Sequence, residues 1–166
     1  MVSSACMMSP LEAFRKGWDS AHARWSGLPG DFDAFATHLS SLELPEGAPG
    51  HADDLVFAWA CGIGNAAALR TFEETLTPVA ERAIARVDAD GGFVDECLQR
   101  VRTRLLMAEG NAAPRILAYG GRGPLAGWVS VAAVRVALSV VRQTRRQNAR
   151  DEALWSEAVL FPSGLS

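Results

Sequence analysis

Residues 120–148, GGRGPLAGWVSVAAVRVALSVVRQTRRQN, limit the fold more than any other stretch of the chain. A glycine-rich loop ending in Pro124 opens a run of 23 residues, Leu125 to Gln147, with no proline and no glycine except Gly127, and such a run predicts one long helix. At about 100° per residue, Val129, Val131, Val134, Val136, Leu138, Val140 and Val141 cover a broad apolar arc. One narrow stripe remains for polar groups. Arg135, Ser139, Arg142 and Arg146 fall on it at spacings of four, three and four, with Trp128 in line near its start. The pattern describes a helix that packs on a core with one side and offers positive charge on the other.

The net charge is −3, yet residues 115–150 hold seven arginines and no acid. Residues 1–114 carry nine Lys or Arg against sixteen Asp or Glu, so the basic patch is local. Fifteen of the sixteen cations are Arg, whose planar fork matches phosphate oxygens. Two readings of the stripe stay open at this point: contact with a polyanion, or a solvated face that keeps the chain soluble.

The rest of the chain is expected to be helical. Ser9-Pro10-Leu11-Glu12 combines an N-cap serine, a proline at the first helical position and a glutamate placed for a capping box. Leu11, Phe14, Trp18, Ala21 and Trp25 then recur at helical spacing up to Gly27. Asp31 caps a second short helix bearing Phe32, Phe35, Leu39 and Leu42, and residues 44–50, LPEGAPG, read as a linker. Asp53 and Asp54 open a third helix, where carboxylates suit the positive dipole end. Asn65 caps a helix expected to run from Ala66 to Val87 with a kink at Pro78, its Glu73 and Glu74 on a solvated face. From Phe93 to Met107, Val94, Cys97, Leu98, Val101 and Leu105 face inward and Glu96, Gln99, Arg100 and Thr103 outward. A short helix is expected at 115–119, and a last one from Asp151. No period-two alternation long enough for a strand occurs, so the fold class is all-α, a compact helical bundle.

Hydrophobic residues at 49% are ample for one core. Cys6, Cys61 and Cys97 are odd in number, with no CxxC, which supports neither a disulfide framework nor a zinc site. His22, His38 and His51 lack metal-like spacing, and no HExxH, Walker loop or GxSxG is present. The expectation is a non-enzymatic protein with no cofactor. Without a leader-like N-terminus, or about 18 consecutive apolar residues, it is further expected to be cytoplasmic and free of the membrane.

Taken in order, several stretches resemble conserved region two of bacterial RNA polymerase sigma factors of the extracytoplasmic-function type. Residues 54–69, DLVFAWACGIGNAAAL, are similar to that family's D-L…G-D-x-x-A-L opening. Residues 96–99, ECLQ, resemble the acid-x-x-Gln of the segment that grips the polymerase. Residues 121–128, GRGPLAGW, are similar to the loop and tryptophan leading into the promoter-reading helix, with Arg142 to Arg146 as its basic end. The resemblance spans roughly residues 53–146.

It implies a transcription initiation module of the region-two type with two extra N-terminal helices. Residues 1–50 would be the extension and linker, 51–150 the region-two domain, and 151–166 a short helix and the start of a linker. By the same resemblance, Glu96, Gln99, Arg100 and Thr103 would dock on core RNA polymerase, at the clamp helices of its largest subunit. Tyr119, Arg122, Arg135, Ser139, Arg142, Arg145 and Arg146 would hold single-stranded promoter DNA of the minus-ten region, with Tyr119 as a stacking surface for a flipped base. An anti-sigma factor is a further partner of the family. Family members commonly carry Asn at Arg135, Asp at Ser139 and an aromatic at Arg102, and a complete factor adds a helix-turn-helix domain for which the chain has no room before Ser166. A fragment or a stand-alone module is therefore expected. The other reading is a helical interaction protein that regulates transcription without touching DNA.

Overall fold

A computed structural model describes residues 10–160. The proposed N-cap at Ser9 lies outside these residues. Helix α1 (Pro10–Arg24) ends in a turn in which Gly27 takes a φ of 81°. Helix α2 (Phe32–Ser40) follows, capped as expected by Asp31, whose carboxylate accepts from the Ala34 N–H. A 3-10 turn, Ala48–His51, occupies the end of the presumed linker, with Ala48 fully buried. Helix α3 (Ala52–Gly62) comes next, then α4 (Ala66–Thr75) with the Asn65 cap bonded to the Ala68 N–H.

The helix expected from Ala66 to Val87 is instead two, α4 and α5 (Thr77–Val87), parted at Leu76. Pro78 sits in the first turn of α5. There its ring needs no N–H, whereas inside a continuous helix it would have clashed with the carbonyl of Glu74. Helix α6 (Gly91–Leu106) starts two residues earlier than the apolar pattern indicated, because Asp90 caps it through the Phe93 N–H. A second 3-10 turn, Arg115–Ala118, leads to α7 (Leu125–Leu160). The all-α class holds: among the described residues the only extended pairing is an isolated bridge between Glu109 and Ala112.

Helix α3 is the centre. Every residue from Leu55 to Cys61 is buried, the pattern of a helix covered on all sides. Helix α1 lies against it so closely that a Cβ on Gly17 would fall 2.1 Å from the Ala52 Cβ. Trp18 sits among Phe32, Phe35 and Trp59, with ring centroids 5.4 to 5.9 Å apart, and Trp25 lies 4.7 Å from Phe57. Burial of the enclosed rings, Trp18, Phe35, Phe57 and Trp59, contributes about 2 kcal/mol each. The aromatic N-terminal helices thus pack into the same core cluster as the rest of the chain. His22 joins in by directing both ring nitrogens at backbone carbonyls, those of Trp18 and Pro29.

On the opposite side α7 packs chiefly on α5, and also on α6, through Val129, Ala133, Val136, Ala137 and Val140. The apolar arc is narrower than its valines suggested, for Val131 and Leu138 are exposed. Residues 125–142 carry two charges, Arg135 and Arg142, and this first half of α7 is long and apolar enough to cross a bilayer by length and composition, a test that the core helix of a folded domain also passes. About a third of that window is buried in the fold. The separate last helix at Asp151 is not observed. Residues 148–160 contain no Gly or Pro, and Gln147 bonds Asp151 one turn on, so α7 continues to Leu160.

Candidate nucleic-acid interface

The loop ahead of α7 is clamped from below. Ile116 is fully buried, and Leu117 lies so close to α3 that a Cβ on Gly62 would fall 2.2 Å from its Cδ2. Gly121 adopts a φ of 72° and is buried, with the space a side chain would need already taken by Leu55 and Ala48. Tyr119 does not offer the stacking surface expected of it. It is 2% exposed, donates its hydroxyl to the Gly123 carbonyl and meets Trp128 edge-on at 6.0 Å. Burial, followed by the charges of Asp54 and Asp53, pushes its phenol well above the ordinary value, so it stays a neutral donor. The 3-10 turn carries this side chain inward.

Helix α7 begins where two further bonds meet. The Trp128 N–H donates to the Pro124 carbonyl, and the Leu125 N–H donates to the Asp54 carboxylate at 2.9 Å. Asp54 thus caps α7, 71 residues away in the chain, rather than simply favouring the start of its own helix. Asp53 bonds its neighbour's N–H and faces Arg24 at 3.4 Å.

Above this floor a cleft of about 870 Å3 opens between the 118–124 loop, the end of α6 and the first turns of α7. Arg104, Arg115, Arg122 and Arg135 line it, with Trp128 as a half-buried wall and Glu43 at the rim. Arg122 and Arg135 were expected in such a place. Arg104 was not; it lies two turns beyond Cys97 and one beyond Arg100, a register that no local signal ties to the loop. Ser139 is half-buried, and Arg142, Arg145 and Arg146 are exposed farther along α7, outside the cleft but continuing from Arg135 as a ridge. Among the described residues none of these arginines forms an ion pair; the three pairs present involve Arg24, Arg100 and Arg102.

Glu96, Gln99, Arg100 and Thr103 share one exposed side of α6. Arg100 is held there, donating to Glu96 at 2.9 Å and to Gln143 of α7 at 2.8 Å. Thr103 turns its hydroxyl to the Gln99 carbonyl. A shallow groove lined by Gln99, Arg100, Thr103, Arg104 and Glu109 adjoins the cleft, with Arg104 common to both. The two surfaces are therefore contiguous.

Arg102 forms a two-pronged pair with Glu73 of α4 at 2.8 and 3.1 Å. Glu73 is thus not merely on a solvated face. Its partner's hydrogen bonds hold the Glu73 carboxyl below its usual value. Among the described residues no three His, Cys, Asp or Glu side chains converge as a metal site would require.

No family model, no curated protein and no solved structure matches the chain.

Proposed function

We propose that this chain is a sigma-factor-type transcription initiation module, holding core RNA polymerase through the Glu96–Thr103 side of α6 and an unstacked promoter strand on α7. The observation that carries this reading is the arginine cleft and the ridge leading from it. Arginines left without internal carboxylate partners beside an open cleft walled on one side by Trp128 suit a phosphate backbone threaded past a sheltered base. Opening of the duplex would come from trapping bases, without fuel or cofactor, so the chain is read as a non-enzymatic, cytoplasmic protein. With Tyr119 buried, Trp128 is the aromatic available to a base, and Arg122, Arg135, Arg142, Arg145 and Arg146 meet phosphates.

Affinity for a single-stranded promoter oligonucleotide should fall with salt, with a log–log slope of about −0.7 per phosphate contact. Replacing Arg135 and Arg142 by Ala should flatten that slope. Core polymerase should be retained by the wild-type chain and lost on Gln99→Ala with Arg100→Glu. Failure to bind any strand at about 50 mM salt would favour the second reading, an interaction protein. That reading has its own observation: Leu154, Trp155, Val159 and Leu160 are all more than 60% exposed at the end of α7.

A further inference from the structure

The row of side chains that seats α7 does not stop where the body of the fold does. Val129, Ala133, Val136 and Val140 are buried at spacings of four, three and four. The same pattern runs on through Thr144, Gln147 and Asp151 to Leu154 and Ala158, all exposed, with Trp155 and Val159 beside them. The far end of the row is therefore built like the buried part but lies in solvent. Charges along this projection are sorted by sign. Residues 142–150 hold four arginines and no acid, whereas residues 151–160 hold Asp151, Glu152 and Glu157 and no Lys or Arg. A helix divided in this way repels a copy laid parallel to it and attracts one laid antiparallel. The three acids around the apolar end also set it against an anionic lipid surface.

We propose that the projecting end of α7 pairs antiparallel with that of a second copy of this chain. With Leu154 of each copy set against Asp151 of the other, Ala158 meets Gln147 and Arg150 falls beside Glu157, every contact made twice by symmetry. The overlap covers residues 145–160, about 24 Å of helix. Gln147 and Asp151, bonded to each other along the row, are polar positions that fix the register at a cost in strength. At about 200 Å2 for an aromatic side chain and about 100 Å2 for an aliphatic one, the exposed apolar face offers on the order of 300 Å2 per copy. That is well short of the roughly 800 Å2 per partner of a standard interface, so the pair is a weak one, with half-association in the range of tens of micromolar. Pairing is independent of the strand-holding function. At about 100° per residue, Arg135, Arg142 and Arg146 lie on the far side of the helix from Leu154 and Ala158, and the ridge stays open in the dimer.

Sedimentation velocity of the full chain from about 5 to about 200 µM should show the mass rising from one chain towards two. Trp155→Asp should hold the chain monomeric over that range with an unchanged circular dichroism spectrum, since this side chain is 74% exposed. Arg150→Glu alone and Glu157→Arg alone should each weaken association about five- to tenfold, because each sets like charges together twice. An equimolar mixture of those two variants restores every opposite pair and should associate as the wild type does. Equal weakening without rescue in the mixture overturns the antiparallel register, and so does a dimer that survives Trp155→Asp. A chain that stays monomeric at the highest concentration overturns the pairing altogether, and cosedimentation of that monomer with phosphatidylcholine–phosphatidylglycerol vesicles would assign the apolar end to a lipid surface instead. Binding of a single-stranded oligonucleotide should be the same for Trp155→Asp and wild type, so failure of the pairing and failure of the strand-holding function are read separately.

Discussion

The bond between Asp54 and the first turn of α7 can be tested in isolation. Replacing Asp54 by Ala removes an N-cap worth about 1–2 kcal/mol. It also removes a negative charge facing the positive end of α7, worth about 0.5 kcal/mol at a half-exposed site. The expected loss is about 2 kcal/mol. For a chain of this size that corresponds to a fall in Tm of about 4–8 °C. Asp54→Asn keeps an acceptor of equal capping strength and gives up only the charge, so it should cost less than about 1 kcal/mol. Asp53→Ala serves as the control. Its partner Arg24 is 3.4 Å away with a side chain 62% exposed, and its loss should stay within about 0.5 kcal/mol. Urea denaturation followed by far-ultraviolet circular dichroism measures all three. If Asp54→Ala unfolds within error of wild type, the capping bond is not what seats α7. If Asn costs as much as Ala, the charge and not the cap carries the effect, and the reasoning is wrong in its main term.

Gly121→Ala should destabilise the fold by about 2–3 kcal/mol, combining about 1–2 kcal/mol for a left-handed alanine with crowding against Leu55 Cδ1 at 3.0 Å, measured by the same unfolding curves. The Glu73–Arg102 pair predicts a pH dependence. Because the folded carboxyl is held below its unfolded value, its contribution is present above the ordinary carboxylate range and disappears as pH falls through the depressed value. Arg102→Ala should therefore cost about 0.5 kcal/mol at neutral pH and nothing once Glu73 is protonated, as read from stability measured across an acid series.

Much of this fold is written locally. The caps at Asp31 and Asn65 and the inward face of α6 follow from side chains that act within one or two turns. What escapes local reading is whatever depends on a distant neighbour. Asp54 looks like a residue serving its own helix, and only the packing of α3 beneath the loop brings it to the Leu125 N–H. Tyr119 looks like an exposed loop residue because its neighbours are glycines and an arginine, and the inward twist of the 3-10 turn has no sequence period to betray it. The break at Leu76 was displaced from the proline that causes it, since a proline disturbs the turn before it. The run read as a helix to Gln147 and the separate helix expected from Asp151 are joined by residues 148–150, which hold no Gly or Pro. Nothing there stops the helix, and the four-residue spacing sets Gln147 beside Asp151. The arginine ridge was visible from spacing alone, but the cleft was not, for Arg104, Arg115 and Glu43 come from three separate elements.

The last buried side chain of α7 is Val140, Arg100 of α6 still reaches Gln143, and beyond it every residue of the helix to Leu160 is exposed. From Val136, the last α7 residue lining the cleft, to Leu160 the helix measures about 36 Å at 1.5 Å per residue. It is a boom: its greasy tip stands one arm's length from the cleft, a distance equal to about eleven steps along a DNA duplex at 3.4 Å each.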